Sequence, residues 1–131
     1  MIEFLIKIGI SENTILSMFD MNPDIKDLTE KEIENKINIL YNINCNNEQI
    51  INIITSNPIY FNTSDSDNKN LINYLLELGI SDLNLLLEAN PYILSKEVYE
   101  VKDYINSHLI NNDIEEIINE LIDNPLLFNE M

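Results

Sequence analysis

The stretch Leu71-Ile72-Asn73-Tyr74-Leu75-Leu76-Glu77-Leu78-Gly79-Ile80-Ser81 has a near-copy 70 residues earlier, Met1-Ile2-Glu3-Phe4-Leu5-Ile6-Lys7-Ile8-Gly9-Ile10-Ser11. Asn90-Pro91 follows the later copy and Asn22-Pro23 the earlier one. With Asn57-Pro58 and Asn124-Pro125 they account for every proline in the chain, spaced 35, 33 and 34 residues apart. Seventy residues is two such periods. Self-similarity at this period marks stacked supersecondary units, none able to bury its apolar side alone. Alignment on the prolines tests the repeat. Eight residues before them stand Ile15, Ile50, Leu83 and Ile117; four before, Phe19, Ile54, Leu87 and Leu121; two after, Ile25, Tyr60, Ile93 and Leu127. All are apolar, where ordinary composition would make about half of them so. The expected fold is all-α, an α-solenoid of repeats near 34 residues. It forms one domain over residues 1–131, with units ending near Pro23, Pro58, Pro91 and Pro125.

Within each unit the period of the apolar residues is helical. Residues 1–8 read as the end of a helix closed by Gly9, with Ser11 capping a short helix that turns Ile15, Leu16 and Phe19 inward. That helix stops before Pro23, because a residue preceding proline is pushed out of the α region. A linker leads to Thr29-Glu30-Lys31-Glu32, a capping box, and a long helix with Ile33, Ile37, Leu40 and Tyr41 facing inward. Asn46 caps the next short helix. Residues 62–70 read as a polar loop with caps at Ser66 or Asp67, before a long helix carrying Leu71, Ile72, Leu75, Leu76 and Leu78. Ser81 caps the third short helix and Ser95 the third long one, whose Val98, Val101, Ile105 and Leu109 are spaced for burial. A last short helix spans Asp113 to Asp123.

The pattern Leu, Gly, Ile/Leu, Ser, a short apolar-striped helix, then Pro and a pair of apolar residues stands as Ile8-Gly9-Ile10-Ser11 to Pro23. It runs again from Leu78-Gly79-Ile80-Ser81 through Pro91-Tyr92-Ile93-Leu94. It resembles the repeat of the mitochondrial transcription termination factor (mTERF) family. Tetratricopeptide repeats need small residues that a chain with one alanine lacks, and the ankyrin Thr-Pro-Leu-His turn is absent. Asn44 and Asn111 stand in the Gly slot of the second and fourth units, a slot Asn tolerates because it can adopt left-handed backbone. The third unit is two residues short between Gly79 and Pro91, which predicts an irregular short helix. The resemblance implies a superhelix of three-helix units, left-handed in preference to right-handed. It also implies nucleic-acid binding along a basic concave groove.

Charge runs against that last implication. The chain carries 23 acidic residues against seven basic ones, a net charge of -16, and every basic residue is Lys. Such a field repels nucleic acid and anionic membranes and favours basic partners. The four short helices contain no basic residue. Lys36, Lys69 and Lys102 fall at loosely equivalent places in the long-helix regions and are the nucleic-acid candidates. Their offsets differ by up to two residues, about 200° around a helix.

Chemistry is sparse. Cys45 stands alone, so no internal disulfide is available and a reducing compartment is expected. It occupies the slot of Ile10 and reads as a core residue. His108 is the single histidine, without a partner at zinc-ligand spacing. Asp65-Ser66-Asp67-Asn68 opens like a calcium loop, but Lys69, Asn70 and Leu76 stand where an oxygen ligand, Gly and Glu belong. No cofactor, metal or catalytic constellation is expected. The start has no signal-peptide or Arg-rich transit pattern, and no 18-residue apolar run occurs; the cytoplasm is the expected location. The expected function is a non-catalytic binding module for a protein with a basic face, using Asp113, Glu115, Glu116 and Glu120. The alternative is a nucleic-acid-related regulator, either binding directly through Lys36, Lys69 and Lys102 or mimicking nucleic acid toward a basic protein. The incomplete terminal units leave end-to-end pairing of two copies open.

Overall fold

The computed structural model describes residues 2–124. The fourth Asn-Pro boundary at Pro125 and the closing Leu126, Leu127 and Phe128 lie outside the described residues. In chain order the elements are α1 (Ile2–Lys7), α2 (Glu12–Met21), a 3-10 segment η1 (Pro23–Asp27), α3 (Glu30–Tyr41) and α4 (Asn47–Ser56). Then come η2 (Pro58–Asn62), α5 (Asp65–Glu77), α6 (Leu83–Ala89), η3 (Pro91–Ser95), α7 (Val98–His108) and α8 (Ile114–Asp123). No strand occurs among the described residues. Short helices stack α2 on α4 on α6 on α8, the 3-10 segments stack η1 on η2 on η3, and α5 packs on α7. The fold is an all-α helical-repeat stack in which the substantial contacts between units join immediate neighbours.

Burial follows the proline-based alignment. Of the twelve aligned apolar residues, the eleven that are described are buried in one continuous core. Position by position, however, some inward assignments fail. Leu16, Tyr41, Leu76 and Leu109 are 50%, 45%, 48% and 41% exposed. The buried stripe beside two of them runs instead through Met18 in α2 and Ile39 in α3. Leu16, Tyr41 and Leu76 sit at the edge of their helices' apolar faces, where a rotation of one position decides their fate, and Leu109 is the C-cap residue just past the end of α7.

The caps of α2, α3 and α4 stand where the sequence puts them. Ser11 accepts from the Thr14 amide, and Thr29 and Asn46 each complete a capping box. Three other assignments are corrected. Ser64, not Ser66 or Asp67, caps α5, so the polar stretch is helical from Asp65 onward. Asp82, not Ser81, occupies the N-cap of α6 and makes no side-chain cap bond. Glu97, not Ser95, precedes α7 and forms a box with Glu100. The linker after Pro23 is the 3-10 segment η1. Gly9, Gly79 and Asn44 take positive φ at 112°, 89° and 71°. Asn111 does not; the fourth corner closes instead through amides of Asn111 and Asn112 bonded to the His108 carbonyl.

The Asn-Pro pairs have a role beyond ending helices. Asn22, Asn57, Asn90 and Asn124 share nearly one backbone conformation, φ between -145° and -131° and ψ between 70° and 84°, outside the α region as a following proline requires. The first three are 1–2% exposed, and each side chain crosses to the next unit. Asn22 Nδ2 donates to the Pro58 carbonyl at 2.9 Å, and Asn57 Nδ2 donates to the Pro91 carbonyl at 2.9 Å and to Ser95 Oγ at 2.9 Å. Asn90 Nδ2 donates to the Leu121 carbonyl. A buried amide bonded only across the junction fixes the register of neighbouring units, since a slip would orphan both partners. Asn124, with no following unit in the described chain, is exposed.

Candidate binding surface

The structure separates the three candidate lysines. Lys69 and Lys102 are exposed, Lys102 lying 5.3 Å above the Tyr74 ring centroid. Lys36 is 5% exposed. Counted from the N-caps Thr29, Ser64 and Glu97, it holds the seventh position of its helix, where the following units place Leu71 and Tyr104. Its ammonium donates to the Thr63 carbonyl, Thr63 Oγ1 and Asn68 Oδ1, pairs with Asp65 Oδ1 at 3.2 Å, and sits 4.9 Å over the Tyr60 ring. The Tyr60 hydroxyl donates to the Lys36 carbonyl at 2.7 Å. Burial holds the Lys36 pKa below the usual lysine value, partly offset by Asp65. Lys36 is therefore a junction between the α3 unit and the next, with no donor turned to solvent. Its place midway between Ile33 and Leu40 in the apolar stripe was the signal of that role.

The acidic candidates all lie on or beside α8. Asp113 caps the helix, accepting from the Glu116 amide at 2.8 Å, and Glu115, Glu116 and Glu120 are exposed. Negative charge at the first turn is favoured by the helix dipole, which accounts for Asp113, Glu115 and Glu116 structurally. Glu120 lies beyond that turn. No basic residue stands on α2, α4, α6 or α8.

Beside α8 the stack is open. α6 begins eight residues before its proline, whereas α2, α4 and α8 begin eleven before theirs, so α6 lacks a first turn. This is the two-residue deficit between Gly79 and Pro91. A cleft of about 510 Å³ occupies the space, lined by the corner residues Leu78 to Asp82, by Leu85, and by Ile114, Glu115, Ile118, Asn119 and Ile122 of α8. The first corner is closed by contrast. A Cβ on Gly9 would meet Ile51 Cδ1 at 3.3 Å, while one on Gly79 would meet nothing within 4 Å.

Neither nucleophile candidate has catalytic surroundings. Cys45 is buried in the core, and burial, with a smaller contribution from Glu88, pushes its thiol up to about 11. His108 stacks on Tyr104 at 4.2 Å and shares its Nδ1 with the Tyr104 carbonyl and Ser107 Oγ. Among the described residues there is no group of three or more His, Cys, Asp or Glu arranged to hold a metal, and no helix is long and apolar enough to cross a membrane.

The family model for mTERF matches residues 1–130 of the chain. No curated protein and no solved structure matches it.

Proposed function

We propose that this chain, which belongs to the mTERF family, is a non-catalytic helical-repeat module that binds a protein with a basic face through the acidic surface of α8. The observation that carries this reading is the pairing of exposed Glu115, Glu116 and Glu120 with a row of stacked helices, α2, α4, α6 and α8, free of any cation, in a chain of net charge -16. Facing charges of opposite sign steer encounter and select partners. Solenoids in general present long recognition surfaces relative to their cores. The test is affinity capture on the immobilised protein with nuclease present throughout. A specific protein should be retained after nuclease and released by salt, and the triple variant E115K/E116K/E120K should lose it. Retention that disappears on nuclease treatment would refute the reading.

Family membership favours a second reading, a nucleic-acid-related regulator. Direct binding would have to use Lys69, Lys102 and the other exposed lysines, since Lys36 has its ammonium committed inside the stack. The mimic form of this reading needs no cation and predicts competition with DNA for a basic protein. Electrophoretic competition between this chain and duplex DNA for a basic protein distinguishes the two forms.

A further inference from the structure

The geometry points to the cleft beside Gly79 as a docking groove for one amphipathic helix of a partner protein, apolar on its inserted side and Lys/Arg-bearing on its flanks. This rests on the acidic-surface reading above and names the site and the partner's chemistry. The first corner shows what a filled site looks like. There Ile51 and Asn47 of α4 close over the corner, Asn47 Nδ2 donating to the Ile8 carbonyl at 3.1 Å. Counted from the N-caps, Ile114 and Ile118 of α8 hold the same positions. They line an open cleft instead, because the turn of α6 that would stand beside them is missing. What the groove lacks is a piece of helix, and what it offers is a surface shaped by helices. Ile114, Ile118 and Ile122 form one i, i+4 row, the ridge against which a further helix packs. Leu78, Ile80 and Leu85 form the opposite wall. Its volume, about 510 Å³, lies within the range of pockets that hold specific ligands, and a helix laid in an apolar groove is a recurring recognition mode.

Charge selects among helices. The charged side chains lining the cleft are Asp82 and Glu115, both acidic and both exposed, with Glu116 and Glu120 on the same helix. An acidic helix would place like charges across the rim, whereas a basic one completes pairs there.

The probe is a synthetic 16-residue peptide with Leu at helical i, i+3, i+4 and i+7 spacing and Lys on the flanks. It is titrated into the isotope-labelled full chain and followed by NMR. The expected result is saturable shifts concentrated at residues 78–85 and 114–122. Leu85→Glu, at an exposed position, should weaken binding at least about tenfold although it makes the surface more negative, because it removes apolar wall. A scrambled peptide of the same composition should bind the wild type at least about tenfold more weakly. Equal binding of the scrambled peptide, or unchanged binding to the Leu85→Glu chain, would overturn the groove while leaving the acidic surface intact. Concentration-dependent shifts at the same residues without peptide would assign the cleft to a second copy and also overturn it. Absence of any binding overturns it as well, and the capture experiment with E115K/E116K/E120K then judges the acidic surface separately.

Discussion

Asn57 and Asn124 each precede a proline and share nearly the same backbone conformation, yet they should answer mutation differently. Asn57→Leu removes two part-buried bonds across a unit junction, to the Pro91 carbonyl and Ser95 Oγ, a cost of about 1–3 kcal/mol. Asn124→Leu, at an exposed site, should change stability by less than about 0.5 kcal/mol. Urea unfolding of both variants checks the contrast. Lys36→Glu should cost at least about 3 kcal/mol, because it places a carboxylate in a buried site beside Asp65 and removes the donor to the Thr63 carbonyl and Asn68 Oδ1. Lys102→Glu should leave the thermal midpoint nearly unchanged. Loss of any binding in a Lys36 variant would therefore report on folding. Cys45 gives the pH dependence. Its folded pKa, about 11, lies above its ordinary 9.0, so the folded chain holds a proton that the unfolded chain releases in that window. The associated stability is fully present below pH 9 and is lost as pH rises toward 11, on the order of 2–3 kcal/mol for a shift of that size. Denaturation curves at stepped pH should show a shallower alkaline decline for Cys45→Ala than for the wild type. The recurrence of Asn-Pro is plain in the sequence; the clasp is not, because its acceptor is a backbone carbonyl 31 to 36 residues away that no side chain marks.

At the scale of elements, the two-residue deficit before Pro91 proved more informative than any single side chain. It predicts an irregular third short helix, and α6 is indeed seven residues long where its counterparts have ten. Inserting Glu-Asn after Ser81, the residues that follow Ser11, should restore the missing turn. NMR secondary shifts should then report about three more helical residues, close to one turn, and the cleft beside Gly79 should close. The cap of α5 was misplaced where several candidates crowd together. Between Asn62 and Asn70 four Ser and Asp residues could each start a helix. The choice of Ser64 is made by burial, since that start turns Asn68, Leu71, Ile72 and Leu75 inward. Ser95 was drawn away from capping by tertiary structure, its hydroxyl serving as acceptor for Asn57.

For the whole molecule, the fold was legible because one alignment on four prolines accounts for the core. The surface was legible only in bulk: composition announces a strongly acidic chain, but which carboxylates share a face with an open cleft depends on how the third and fourth units meet. Membership in a family whose resemblance implied a basic groove and a surface dominated by carboxylates make opposite demands on a polyanion. The deciding measurement is fluorescence anisotropy of labelled duplex DNA and single-stranded RNA titrated with the full chain at low salt. The surface described here predicts no saturable binding up to about 100 µM, the weak end of non-specific association. Saturable binding whose log K falls linearly with log salt would contradict it.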